Sequence, residues 1–80
     1  MDERRGELRR RTLKAGTISF NRAGAISCTV RNMSDAGASL EVASPLGIPD
    51  DFTLVIESDQ FLRQCHVRWR TLNHIGVAFG

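Results

Sequence analysis

Apolar and polar residues alternate in six short runs along this chain. In residues 16–20, Ile18 and Phe20 fall on one side and Thr17 and Ser19 on the other. Residues 25–31 set Ile26, Cys28 and Val30 against Ser27, Thr29 and Arg31. Residues 38–42 put Ala38, Leu40 and Val42 on one face. Residues 52–57 are more continuously apolar: Phe52, Leu54 and Ile56 face one way and Val55 the other. In residues 64–70, Cys65, Val67 and Trp69 alternate with Gln64, His66, Arg68 and Arg70. On that pattern the single tryptophan, Trp69, reads as core, with a rim position that leaves its ring open to stacking as the alternative. The last run carries Ile75, Val77 and Phe79, with Gly76 and Ala78 between them. Successive strand side chains point to opposite faces, so a period of two predicts strands and not helices.

The connections fit strands joined to their neighbours. Asn21-Arg22-Ala23-Gly24 is a short turn ending on glycine. Pro45, Gly47 and Pro49 break the chain between the third and fourth strands. Glu57-Ser58-Asp59-Gln60 predicts a tight hairpin, and Thr71-Leu72-Asn73 joins the fifth strand to the sixth. Links this short make the pairing antiparallel. Six strands with one apolar face close best into a small barrel, because closure removes exposed edges. The expected fold is therefore all-β: a six-stranded antiparallel β-barrel over residues 15–80, preceded by a flexible basic N-terminal arm, residues 1–14.

Eighty residues make one domain. No apolar run approaches the roughly 20 residues of a membrane-spanning helix. No apolar segment follows Met1-Asp2-Glu3-Arg4-Arg5, so a secretory signal is not expected. A cytoplasmic protein without membrane insertion is the expectation. Cys28 and Cys65 lack paired Cys-x-x-Cys spacing and sit in alternating apolar runs, so they read as reduced, buried hydrophobes. His66 and His74 have no carboxylate at ligand spacing, and no metal or cofactor is expected.

Charge changes the picture at one end. Residues 1–14 carry six basic and three acidic side chains, a net +3, while the remainder is at net −1. A basic arm is either a solvated tail, helical in part with Glu7 and Arg11 paired at i,i+4, or it points to an anionic partner: phosphate, nucleic acid or a membrane surface. Five of its six cations are arginine. A guanidinium matches phosphate oxygens, matches the O6/N7 edge of guanine bidentately, and stacks on purine faces. Lysine does only the first. Within Arg5-Gly6-Glu7-Leu8-Arg9-Arg10, two arginines four apart can reach one anion if the arm folds over it. Asn32-Met33-Ser34-Asp35-Ala36-Gly37 is the other unusual segment. Its Asn and Ser can shape a turn through their own backbone, or present an amide and a hydroxyl to a ligand. Gly37 permits positive φ or a close approach of ligand to backbone.

Together these segments resemble the PilZ domain: Arg-x-x-x-Arg near the N-terminus, then Asn-x-Ser-x-x-Gly about twenty-five residues later. The strands from residue 40 onward, with Cys65-His66-Val67-Arg68-Trp69 and Ile75-Gly76-Val77-Ala78-Phe79, fit the resemblance over nearly the whole chain. It implies a six-stranded barrel that acts as a bacterial receptor for cyclic di-GMP. Arg5 and Arg9 would hold phosphates and guanine edges, with Arg10 adding a contact. Asn32 and Ser34 would contact one guanine, and Gly37 would leave room for it. Asn32 stands where many members have Asp, which removes a charge and keeps an acceptor. The sequence also ends without the C-terminal helix of many members. Movement of the arm on binding would be read by an effector protein. Ordering an arm costs about 1–2 kcal/mol per residue. Each arginine bond to a charged group returns roughly 1.5–3 kcal/mol.

Other functions have less support in the residues. A PilZ-like interaction module that does not bind the nucleotide would not need the motif residues it carries. A single-stranded nucleic-acid barrel needs exposed aromatics for stacking, and here there is no Tyr while Phe20, Phe52, Phe79 and Trp69 follow the core pattern. No Ser/His/Asp arrangement, carboxylate pair or phosphate-cradling glycine loop points to an enzyme.

Overall fold

The computed structural model describes residues 10–20 and 24–80, with the backbone alone at residues 10 and 11. Six antiparallel strands close into a barrel in the order β1-β2-β3-β6-β5-β4. They are β1 (Arg10–Phe20), β2 (Gly24–Met33), β3 (Gly37–Glu41), β4 (Asp51–Ile56), β5 (Phe61–Arg70) and β6 (His74–Phe79). All six expected runs are strands. β1 reaches back to Arg10, into the stretch read from sequence as arm. The alternation there is hidden by a register shift between Arg11 and Lys14 in the β1–β2 ladder. Such a bulge breaks the period of two that marks a strand in sequence.

The inward positions form one core. Ile18, Val30, Leu40, Leu54, Ile56 and Ile75 are fully buried, with Phe52, Val77, Cys28 and Cys65 beside them. Each fully buried aliphatic side chain contributes roughly 1.5–3 kcal/mol. Ile48, from the connection between β3 and β4, is buried in the same core. Arg70 ties that connection down, donating to the Pro45 carbonyl (3.3 Å) and to Asp50 Oδ1 (2.8 Å). Gly47 takes φ +84°, the left-handed region that glycine enters without strain.

Both cysteines are buried free thiols, as their apolar setting predicts. Burial, aided for Cys28 by the neighbouring Cys65, pushes its thiol up to about 11. Burial does the same to Cys65, against an opposing backbone hydrogen bond at Leu54 and the charge of Arg63. The expected tight link between β4 and β5 is a single 3-10 turn, Glu57–Asp59, closed by Gln60 at φ 51°. Lys14 of β1 grips Asp59 of this turn at 2.5 Å, and its ammonium holds that carboxyl below its ordinary range. Among the described residues the barrel's closing join, β1 to β4, has three rungs: Thr17–Val55, Ile18–Leu54 and Ser19–Thr53.

One expectation fails. Trp69 is 48% exposed and lies on the outer face. The β5–β6 register shifts between Val67 and Trp69. Val67 still pairs with inward Val77, but after the shift Trp69 pairs with Gly76, which faces out between Ile75 and Val77. The extra residue reverses the parity that the sequence pattern carries forward.

Candidate functional site

The Asn-x-Ser-x-x-Gly segment lies at the turn from β2 to β3. The Ser34 N–H donates to the Gly37 carbonyl at 2.9 Å, and the Ala36 N–H donates to Ser34 Oγ at 3.2 Å. The Ser34 hydroxyl is buried and makes a longer bond, 3.5 Å, to the Gly37 carbonyl. Ser34 thus shapes the turn, one of the two roles its residue type allows. The turn is fixed to β6 by the Phe79 N–H, which donates to Ala36 O at 2.8 Å. Gly37 packs hard against the same strand. A Cβ there would stand 2.1 Å from the Val77 carbonyl oxygen. The close approach that Gly37 permits is therefore to protein backbone.

A second bulge, between Val30 and Asn32 in the β2–β3 ladder, sets Asn32 opposite Ser39. The pairing continues across the sheet: Arg11 opposite Asn32, Ser39 opposite Gly76, and Gly76 opposite Trp69. Asn32, Ser39, Gly76 and Trp69 thus form one row on the outer face. The indole lies directly on Gly76, with ring atoms 2.2–2.6 Å from where a Cβ would be. An aromatic ring over a cross-strand glycine covers backbone that would otherwise be bare. Two depressions flank this row. One, of about 620 Å³, is lined by Thr12, Leu13, Arg31, Asn32, Ser39 and His74. The other, of about 330 Å³, is lined by Gly37, Arg68, Trp69, Gly76 and neighbouring small residues. Arg68 is exposed and makes no ion pair among the described residues. Also among the described residues, no group of three or more His, Cys, Asp or Glu is placed to hold a metal ion. No helix among them is long and apolar enough to cross a membrane.

Of the residues singled out in the sequence, Asn32, Ser34 and Gly37 come together at this end of the barrel. Arg5 and Arg9 lie outside the described residues. The backbone of Arg10 is in β1 opposite Met33, on the strand that runs beside Asn32. Sequence reasoning overlooked Ser39, Gly76 and Arg31, and it ranked the core reading of Trp69 above the outward one. A signal for the last was present. Counting back through the Thr71–Asn73 link sets Trp69 opposite Gly76, and flanking Ile75 and Val77 mark Gly76 as outward. That count contradicts simple alternation along β5 and requires a bulge.

Across residues 3–80 the chain matches the family model of the PilZ domain. The chain belongs to the PilZ family. PilZ domains are cyclic di-GMP-binding and adaptor modules and not enzymes. No curated protein matches the chain. In this PilZ domain the Asn-x-Ser-x-x-Gly segment forms the turn that begins the outer-face row.

Proposed function

We propose that this PilZ domain is a cyclic di-GMP receptor, with the ligand seated on the outer face beside the β2–β3 turn. The observation that carries this reading is the row from Asn32 through Ser39 and Gly76 to Trp69. It joins the family's second motif to an exposed aromatic ring and an arginine, Arg68, that has no ion pair among the described residues. Cyclic di-GMP is a dianion with two purines, so it needs cations, donors for base edges and a stacking surface. Asn32 offers an amide to a guanine edge, Trp69 a ring face, and Arg68 a charge. Arg5, Arg9 and Arg10 are the family's N-terminal contribution and would close over the ligand from the arm. An effector protein then reads the altered surface of arm and barrel.

Calorimetric titration of the full chain with cyclic di-GMP, with GMP as control, tests the proposal. Saturable heat with the dinucleotide alone is expected, together with a change in Trp69 fluorescence. Arg5→Ala and Arg9→Ala should each weaken binding by at least tenfold, the loss of one charge-assisted contact, with the melting temperature unchanged. Unaltered affinity in both variants would overturn the site, and absence of binding by the native chain would overturn the function.

A further inference from the structure

The larger depression contains an arginine outside both family motifs. Arg31 sits at the bulge between Val30 and Asn32, and it lines the same 620 Å³ depression as Asn32, Ser39 and His74. Its Nη1 donates to Glu41 Oε1 at 2.7 Å. Among the described residues Glu41 is its one ion-pair partner. The bond orients the guanidinium and occupies one end of it. The edge formed by Nε and Nη2 remains, and two parallel N–H donors on one edge fit a pair of acceptors side by side.

The charge balance decides what that edge is suited to. Arg31 and Glu41 together are neutral, so the pair offers a phosphate little net attraction. A purine does not require net charge. The O6 and N7 atoms of guanine are the side-by-side acceptors that an arginine fork matches. The rest of the lining is mixed, with Thr12, Leu13, Ser39 and His74 supplying both apolar and polar groups, as a flat heterocycle with polar edges requires. Asn32 borders the depression, so a base seated there lies beside the row already described.

We propose that Arg31, held in place by Glu41, is a specificity-determining residue of this site that reads the O6/N7 edge of one guanine of cyclic di-GMP. The inference rests on the proposed function and adds a base-reading pocket on the β2 side of the row. Glu41 is a positioning residue.

The test is a chemical double-mutant cycle by calorimetry on the full chain. The ligands are cyclic di-GMP and its 7-deazaguanine analogue, which lacks the N7 acceptor. The proteins are the native chain, Arg31→Ala and Arg31→Lys. Lysine keeps the charge and the ion pair with Glu41 but has no planar fork. Removing half of a bidentate contact should weaken the analogue about tenfold with the native protein. Both variants should bind cyclic di-GMP at least about tenfold more weakly and no longer distinguish the two ligands. Native affinity in Arg31→Lys would overturn the proposal, because charge alone would then suffice. So would retained discrimination in Arg31→Ala. A native chain that binds cyclic di-GMP while showing either result leaves the receptor function standing. A native chain that binds neither ligand removes both.

Discussion

Two glycines on β3 and β6 face different neighbours, and their substitutions separate packing from recognition. At Gly37 the obstacle is the Val77 carbonyl, part of a ladder that cannot yield locally. Gly37→Ala should therefore destabilise the barrel by about 1–3 kcal/mol, the usual range for overpacking, as read by urea unfolding. A ligand effect in that variant would follow from the distorted turn and not from a lost contact. At Gly76 the obstacle is the Trp69 ring, a half-exposed side chain free to swing outward. Gly76→Ala should cost less than about 1 kcal/mol, since it sacrifices mainly one partly exposed contact. It should also shift Trp69 emission to the red as the ring enters water. A larger loss at Gly76 than at Gly37 would mean that the indole is held in place more firmly than its exposure indicates.

At the scale of elements, regularity was what the sequence could convey. Six alternating runs and the turn residues between them specified six strands, antiparallel neighbours and closure. What stayed hidden were departures from period two. Bulges near Arg11–Lys14, Val30–Asn32 and Val67–Trp69 shift parity without a distinctive residue type. They are why β1 looked shorter than it is and why Trp69 read as core. All three adjoin the candidate site, and the last two turn Asn32 and Trp69 to the outer face. The motif residues themselves were legible because their chemistry is particular to residue type, whereas Ser39 and Gly76 gain meaning only through cross-strand register. Another irregularity is the 3-10 turn, where Gln60 sits at φ 51°. A non-glycine residue there carries a steric penalty of about 1–2 kcal/mol, partly offset by the lower chain entropy it brings to the unfolded state. Gln60→Gly should accordingly raise stability by about 0.5–1 kcal/mol in chemical denaturation. A loss would show that the Gln60 side chain makes a contact worth more than the strain.

For the molecule as a whole, the two core thiols link stability to alkaline pH. Each is raised from an ordinary 9.0 to about 11 by burial. The unfolded chain releases these protons first, so stability is complete below about pH 9 and falls as pH rises toward 11. The loss at pH 10.5 should be on the order of 2 kcal/mol for each thiol. Denaturation curves at pH 7, 9 and 10.5 would show it, and Cys28→Val with Cys65→Val should flatten the dependence. An unchanged slope in that double variant would assign the alkaline loss to other groups. The thiols should also resist alkylation at pH 8 until the barrel opens, because the thiolate is the reactive form. Where it opens follows from the three-rung join between β1 and β4. The β3–β6 pairing, the other contact between strands distant in sequence, has five rungs, so among the described residues the ring is a bracelet whose β1–β4 clasp is the shorter. Releasing the clasp would open the ring into a sheet, with the β1–β2 hairpin still held to β3 through the ladder that pairs Asn32 with Ser39. Whatever draws the edge of β1 away from β4 therefore acts on the strand that runs beside Asn32, and among the described residues it has three rungs to break.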